Sequence, residues 1–296
     1  MTTIAYTNKR FHQASLKMMG TINEIIRSYL KRGYVLTIRQ LYYQLVARAL
    51  IDNHEREYQR IIALCNDARM AGLMDWDAIE DRGRDFISAT RWESGAAILR
   101  AAAESYHEDM WLGQRYRVFC IVEKAALTGV LDPVCRKYDI PLLAARGYAS
   151  ASVLHEFATG DLVLAVNAGQ IPVVLYFGDH DPSGLDMTRD IEARLNLFVE
   201  HHTGGCVEVA RLALNMEQIE ELRPPENPAK TTDRRFQAYR VEFGTSSWEL
   251  DALTPEYLGE LVENAVVKLL DRETWGAALS KVEGVRESLS ALAEEF

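Results

Sequence analysis

Three acidic residues follow strongly apolar segments, at positions where carboxylates can take part in metal chemistry. Glu123 comes directly after the apolar run at 118–122, and Asp179 and Asp181 come after the run at 171–177. Short continuous apolar runs are typical of strands buried on both faces of a parallel sheet. Ligands of such sheets bind beyond the carboxyl ends of the strands. Residues two apart in an extended chain point the same way, so we expect Asp179 and Asp181 to converge on one point.

Three carboxylates held together repel one another unless they are protonated or bound to a cation. A set of ligands made only of oxygens suits Mg²⁺, which keeps several waters and contacts substrate phosphates. Each acid taken singly is better explained as a helix cap at a strand-to-helix turn. The triplet Glu123, Asp179 and Asp181, followed by Pro182 and Gly184 that turn the chain away, favours a Mg²⁺ site.

A tyrosine near the N-terminus is a candidate nucleophile. The segment IRQLYYQLVARAL at 38–50 is predicted to be a helix capped by Thr37. Tyr42 belongs to its apolar stripe and is predicted to be a core aromatic, whereas Tyr43 falls beside Arg39, away from that stripe. Arg39 and Tyr43 are four residues apart, so a cation there could anchor a phosphate and favour the phenolate. From the residues alone, an ordinary exposed Tyr–Arg pair explains this pattern equally well.

The chain is predicted to divide into a helical N-terminal part and an α/β C-terminal part. Helices are predicted at 11–32, 38–50 and about 55–73, followed by a polar hairpin at 75–84. That order is typical of a winged-helix domain, which we place at residues 1–91. A linking helix is expected within residues 92–116. Residues 117–296 alternate strands with helices and end in a helical tail, which predicts a parallel α/β sheet.

Charge is distributed unevenly along the 296 residues, which carry a net charge of −10. Residues 1–116 contain 16 Lys+Arg and 14 Asp+Glu, a net of +2, whereas residues 117–296 contain 17 and 29, a net of −12. A protein that coats nucleic acid generically is therefore excluded. We expect the N-terminal third to meet phosphates, and any anion bound by the acidic remainder to need a bridging cation.

The sequence predicts a cytoplasmic protein with no membrane partner. No apolar run approaches the roughly 18 residues that cross a bilayer, and the first residues lack the apolar core of a signal peptide. The four cysteines form no C-x-x-C pair, so a structural zinc site is not supported. Cys65 and Cys120 are predicted to be small buried hydrophobes with reduced thiols.

Three motifs resemble the TOPRIM domain of the topoisomerase VI A subunit and of the related meiotic double-strand-break transesterases. They are VEK at 122–124, RGY at 146–148 and DHDPSG at 179–184, in the order and spacing of that family. A winged-helix domain precedes TOPRIM in the family, and its second helix carries an R-x-x-Y-Y pattern. Residues 39–43 read RQLYY and look like that motif. The resemblance covers most of residues 35–200.

The resemblance implies a winged-helix domain followed by a TOPRIM domain with a Rossmann-like parallel sheet, and Mg²⁺-dependent cleavage of double-stranded DNA. Tyr43 would attack a phosphodiester and form a 5′-phosphotyrosyl link, while Arg39 steadies the phosphate and Lys124 assists. A homodimer is implied, in which the tyrosine of one subunit works with the metal site of the other. We find no ATPase sequence, so strand passage would need a separate ATPase subunit.

Several arginines of the third helix and the following hairpin are predicted to contact DNA phosphates and to position the duplex without reading its sequence. They are Arg56, Arg60, Arg69, Arg82 and Arg84. Any single one is better explained as part of a solvated face, since acids are interleaved with them.

Two other functions stay open from the sequence. The wider TOPRIM group includes hydrolytic nucleases that use the acids without a tyrosine, so a metal-dependent nuclease is the first alternative. A DNA-binding module without catalysis is the second.

Overall fold

The computed structural model describes residues 4–80 and 91–296, which form a mixed α/β structure around a four-stranded parallel sheet. No helix in those two ranges has both the length and the apolar character needed to cross a membrane. Cys65 and Cys120 are buried as predicted, and their thiols are free.

Three helices form the N-terminal core, as the apolar spacing predicts. They are α1 (Gln13–Leu30), α2 (Ile38–Ala47) and α3 (Glu55–Met70). Thr37 caps α2: its hydroxyl accepts from the Gln40 amide at 3.3 Å, and the Gln40 side chain accepts from the Thr37 amide at 2.9 Å. This reciprocal pair satisfies donors that the first turn would otherwise leave unpaired. It fixes where α2 begins, and so which way Arg39 and Tyr43 face.

The predicted hairpin at 75–84 falls only partly within the described residues. Strand β2 (Ile79–Glu80) pairs in parallel with β1 (Leu36–Thr37). The strands of a hairpin are antiparallel, so this observed pair is not the predicted hairpin. Residues 81–90, including the predicted DNA contacts Arg82 and Arg84, lie outside the described residues.

The apolar runs at 118–122 and 171–177 lie in the two central strands of the four-stranded parallel sheet. The strands of this sheet are β3 (Tyr116–Val122), β4 (Leu142–Ala144), β5 (Ile171–Phe177) and β6 (Glu208–Ala213). Their order is β4-β3-β5-β6, and β3 and β5 pair along their full length. Alternate residues of β3 enter different cores: Val118, Cys120 and Val122 on one face, Phe119 and Ile121 on the other. Burial on both faces explains the unbroken apolar runs.

Helices cover both faces of the sheet and continue to the C-terminus. In chain order they are α4 (Gly95–Ser105), α5 (Thr128–Lys137), α6 (Ala151–Phe157), α7 (Val163–Asn167), α8 (Pro182–Thr203), α9 (Met216–Leu222), α10 (Phe236–Phe243), α11 (Pro255–Leu269) and α12 (Arg272–Glu294). The expected linking helix is α4, and it packs against α12.

The stretch at 216–245 is more regular than its prolines suggest, since it contains α9, α10 and β7 (Glu226–Pro228). β7 pairs with β8 (Ser246–Trp248) in an antiparallel hairpin. Residues after β8 reach the N-terminal helices, where Ala252 joins their core. The Asn53 amide also donates to Asn227 Oδ1 at 2.7 Å. The domain limits at 91 and 116 stay predictions, but the helical and α/β parts are packed together.

Candidate functional site

The carboxyl ends of β3 and β5 bring two of the three predicted acids together. Val122 lies opposite Phe177 in the sheet, so Glu123 and Asp179 leave neighbouring strands at the same edge. The Asp179 amide donates to Glu123 Oε2 at 2.9 Å. Asp181 Oδ1 instead accepts from the Gly184 amide at 2.6 Å and caps α8. Asp181 is therefore a helix cap beside the other two acids.

Backbone packing explains why this turn needs glycine at 184. A Cβ there would lie 2.2 Å from the Asp179 carbonyl oxygen, which no side chain can tolerate. Arg211 holds the same loop from the other side, since its Nη2 donates to the carbonyls of Gly178 at 2.9 Å and Asp179 at 2.6 Å. The loop is thus fixed before any ligand arrives.

Burial and mutual repulsion make the acids of this edge easier to protonate. Burial, followed by the charge of Asp179, raises the pKa of Glu123 to about 7. Asp181 adds to that repulsion, so all three predicted ligands are close enough to act on one another. The pKa of Asp179 is also raised, chiefly by burial, although Lys124 and the Leu250 amide favour its charged form.

Lys124 lies at the centre of a cluster of carboxylates. Its Nζ is 2.9 Å from Asp179 Oδ2, 2.9 Å from Glu249 Oε2 and 3.2 Å from Asp251 Oδ2. These negative charges raise the pKa of Lys124 despite its burial, so the ammonium stays charged. Lys124, predicted through the VEK motif, therefore belongs to the same site as the acids.

Glu249 and Asp251 are site residues that the sequence reasoning missed. An antiparallel bridge places their segment beside the acids: the His180 amide donates to the Trp248 carbonyl at 2.9 Å, and the Trp248 amide donates back at 3.0 Å. The Leu250 amide then donates to Asp179 Oδ1 at 2.8 Å. The E-x-D spacing at 249–251 is the sequence signal that could have identified them.

Arg39 joins this cluster from the N-terminal helices. Its Nη2 lies 2.5 Å from Glu249 Oε2, and its Nε lies 3.2 Å from Asp251 Oδ2. Arg39 and Lys124 therefore share the same two carboxylates, one cation coming from each part of the chain. Arg39 and Lys124, which are predicted to hold the phosphate, are therefore brought together, but both are paired with carboxylates of their own chain.

Tyr43 is buried, although its position away from the apolar stripe of α2 predicted that it would be exposed. Only 3% of its surface is accessible, because the turn at Leu250–Ala252 packs over the polar side of α2. Burial and then the charge of Glu249 raise the pKa of the phenol, and Arg39 only partly opposes them. Arg39 acts on the phenol in the expected direction, but burial and Glu249 outweigh it. Tyr42 is a core aromatic, as predicted.

The predicted DNA-contacting arginines of α3 have different surroundings. Arg56 and Arg60 are exposed, and Arg60 pairs with Glu57 at 2.5 Å. Arg69 is 8% exposed, and its Nη2 donates to the carbonyls of Trp76 at 2.8 Å and Ile79 at 2.5 Å. Arg69 therefore holds β2 against α3. Its phosphate contact stays a prediction, and these backbone contacts give the guanidinium a structural role as well.

Replacing Arg69 with methionine tests that structural role. Arg69→Met keeps the aliphatic stem but leaves two carbonyl oxygens without their donor, so we expect a loss of roughly 2–4 kcal/mol in the free energy of unfolding. Urea denaturation measures it. Arg56→Met is the matched control on the exposed face, where a change within about 0.5 kcal/mol is expected. Equal effects of the two variants would contradict the assignment.

The site offers carboxylate oxygens and an excess of negative charge, and both suit a divalent cation. Its carboxylates are not arranged around one point as the ligands of a bound ion would be. Among residues 4–80 and 91–296, no three Asp, Glu, His or Cys side chains are grouped to hold one metal ion. When ionised, the cluster nevertheless carries two more negative than positive charges. Its carboxylates are Glu123, Asp179, Asp181, Glu249 and Asp251, and its cations are Arg39, Lys124 and Arg211. One Mg²⁺ would balance that excess.

We expect the thermal stability of the protein to depend on pH and Mg²⁺ together. The pKa of Glu123 is raised to about 7 in the folded protein. The free energy that this group contributes to folding is therefore fully present below its pKa in the unfolded chain, and it is lost as pH rises through 7. Mg²⁺ should therefore raise Tm more at pH 8 than at pH 5.5, where protons compete. Differential scanning fluorimetry measures this.

Variants at one acid and on the surface separate this effect from general salt stabilisation. Asp179→Asn should lose the Mg²⁺-dependent rise in Tm, whereas Glu220→Gln, at an exposed position of α9, should keep it. The same rise in both variants would show that Mg²⁺ acts elsewhere.

Contacts within one chain thus connect every predicted catalytic residue. The Arg39 guanidinium carbon lies 6.0 Å from the centre of the Tyr43 ring, Glu249 bridges Arg39 and Lys124, and Lys124 contacts Asp179. The family resemblance implies that the tyrosine and the acids come from different subunits, whereas here they meet in the same one. Neither a scan against protein-family models nor a search of curated proteins finds a match for this chain.

Proposed function

We propose that the chain is a winged-helix and TOPRIM protein, similar to the topoisomerase VI A subunit, that cleaves double-stranded DNA by transesterification at Tyr43. The observation that carries the proposal is the meeting of a phenol, two cations and a group of acids in one place. Arg39 and Lys124 share the Glu249 carboxylate, and the Arg39 guanidinium carbon lies 6.0 Å from the centre of the Tyr43 ring. Neither a simple core tyrosine nor a simple surface ion pair explains that combination.

In the proposed reaction the Tyr43 oxygen attacks a backbone phosphorus. A bond from that oxygen to phosphorus forms, the bond from phosphorus to the 3′ oxygen breaks, and the phenolic proton is transferred overall to the leaving 3′ oxygen. The product is a 5′-phosphotyrosyl link and a 3′ hydroxyl. Arg39 and Lys124 hold the phosphate oxygens as its charge is redistributed.

Glu123, Asp179 and Asp181 would hold the Mg²⁺ ion. When bound, the cation supplies positive charge that stabilises the phosphate during attack. Arg211 keeps the loop of Asp179 in place, and Gly184 lets α8 begin directly beside it. The raised pKa of Glu123 supports this role, because a carboxylate that resists ionisation gains most from a nearby cation.

Charge supports placing the duplex on the N-terminal side. Residues 1–116 have a net charge of +2, against −12 for the remainder. Arg56 and Arg60 are exposed on α3 and are proposed as phosphate contacts, and Arg82 and Arg84 stay predictions. A homodimer, a separate ATPase subunit and a cytoplasmic location are likewise proposed from the sequence and its resemblance.

One observation favours a second candidate, a hydrolytic TOPRIM nuclease. Tyr43 is buried, and its phenol is harder to ionise than a free one. If the phenol stays covered, the acids and Mg²⁺ would act on an attacking water instead. The chain would then cut DNA without becoming attached to it.

Incubation with plasmid distinguishes these functions. Supercoiled DNA is treated with the protein and Mg²⁺ or Mn²⁺ without ATP, stopped with detergent, and analysed with and without proteinase. Transesterification predicts protein attached to 5′ ends, and a homodimer predicts linear as well as nicked plasmid. Cut DNA with free 5′ phosphates would support hydrolysis. Intact plasmid under all metal conditions, with binding retained, would support a module without catalysis.

A further inference from the structure

The side chain of Glu249 is held by the groups that the proposed reaction uses on phosphate. Its Oε2 lies 2.5 Å from Arg39 Nη2 and 2.9 Å from Lys124 Nζ, and its charge acts on the Tyr43 phenol. A carboxylate bound by a guanidinium and an ammonium resembles two phosphate oxygens, both in its negative charge and in the hydrogen bonds that it accepts. No other acid of the cluster contacts both cations this closely.

We infer that the Glu249 carboxylate occupies the position of the scissile phosphate, so that the free chain is self-inhibited until a DNA phosphodiester displaces it. The inference rests on the proposed function. It assigns the place at which substrate phosphate binds, and it assigns Glu249 as an internal competitor for that place.

Differences in burial indicate which acid is displaced. The Glu249 side chain is 24% exposed, whereas that of Asp251 is fully buried. Asp251 lies in the buried turn Leu250–Ala252 and contacts both Lys124 Nζ and Arg39 Nε at 3.2 Å. Rotation of Glu249 outward would therefore leave both cations anchored by Asp251 and facing the vacated position.

A groove next to Arg39 gives the DNA strand a route to that position. It has a volume of about 470 Å³ and lies between the start of α2, the face of α3 and residues 125–126. Its lining includes Arg39 itself and Tyr58, whose ring lies 5.7 Å from the Arg39 guanidinium carbon. The nucleotide beside the scissile phosphate can lie against this aromatic surface.

Charge balance explains why the resting site attracts DNA weakly. Glu249, Asp251 and Asp179 surround Arg39 and Lys124 with three carboxylates against two cations, so the two cations present no net positive charge to a phosphate. Removing the Glu249 charge makes this point less negative by one charge and frees one face of both cations for a phosphate. Affinity for DNA should therefore rise, and its dependence on salt should become steeper.

The experiment measures equilibrium binding of a short fluorescent duplex by anisotropy, with EDTA present and in a Tyr43→Phe background, so that no cleavage is needed. Glu249→Gln should bind about tenfold more tightly than the parent, with a salt slope steeper by about one unit. Glu242→Gln, at an exposed position of α10, makes the same change in net charge and should bind as the parent does. Thermal melting confirms that the variants are folded.

Glu249→Asp provides a second test that keeps the charge. The shorter side chain cannot reach Arg39 and Lys124 together, so its binding should be tighter than that of the parent but weaker than that of Glu249→Gln. Equal affinities of Glu249→Gln and Glu242→Gln would overturn the inference and leave the proposed function standing. Absence of DNA binding by every variant would overturn both.

Discussion

Tyr43→Phe is expected to lower covalent attachment to DNA by at least about a thousandfold, because it removes the oxygen that would form the phosphotyrosyl link. The phenol oxygen is the proposed nucleophile, whereas the ring fills the N-terminal core. Phenylalanine keeps the ring, so the fold should persist. Quantifying protein bound to 5′ ends after detergent treatment measures the effect, and circular dichroism checks the fold.

Tyr42→Phe is the matched control, since Tyr42 is the neighbouring tyrosine with a structural hydroxyl. That hydroxyl accepts from the His54 amide at 2.8 Å and donates to Asn53 Oδ1 at 3.0 Å. We expect this variant to lose about 1–2 kcal/mol of stability and to keep attachment within a fewfold. Attachment that survives Tyr43→Phe but not Tyr42→Phe would reverse the assignment of the nucleophile.

Mixing Tyr43→Phe chains with Asp179→Asn chains is expected to leave cleavage at the background of either variant alone. The contacts from Tyr43 through Arg39, Glu249 and Lys124 to Asp179 all lie in one chain. Each defective chain therefore lacks one half of its own site, and a partner cannot supply it. Plasmid cleavage after the two proteins are mixed and allowed to exchange subunits measures the outcome.

A site shared between subunits predicts the opposite result. In a randomly exchanged homodimer about a quarter of the shared sites would combine an intact tyrosine with intact acids, so cleavage would return to about a quarter of the wild-type level. That recovery would contradict assembly within one chain. It would support the arrangement implied by the family resemblance.

The sheet and its acids are predictable from the sequence because the causes are local. β3 and β5 are covered on both faces, which makes each an unbroken apolar run, and parallel neighbours end at the same edge. Glu123 and Asp179 follow those runs directly and are brought together. Asp181 caps α8 and adds to the charge at Glu123, and its role as a metal ligand stays a prediction.

The burial of Tyr43 depends on a segment more than 200 residues away in the sequence. Helical spacing in α2 reports only which side faces the N-terminal core, and the turn at Leu250–Ala252 covers the other side. The structural role of Arg69 was not predicted for a related reason: its partners are backbone carbonyls, which leave no pattern in the sequence. Long-range packing of this kind cannot be deduced from periodicity.

Glu249 and Asp251 were missed because nothing local distinguishes their segment. They follow the short strand β8 and not a long apolar run, and their E-x-D spacing is common. The bridge between His180 and Trp248 brings them to the site. Two of the three carboxylates that contact Lys124 or Arg39 therefore come from a part of the chain for which the sequence predicted no site residue.

Mass spectrometry of the protein after reaction with DNA tests the central claim most directly. Cleaved complexes are digested with nuclease and trypsin, and the peptide at 40–48, which contains both Tyr42 and Tyr43, is fragmented. The account predicts a nucleotide phosphate on Tyr43. Cut DNA accompanied by an unmodified peptide, or a phosphate on Tyr42, would contradict it.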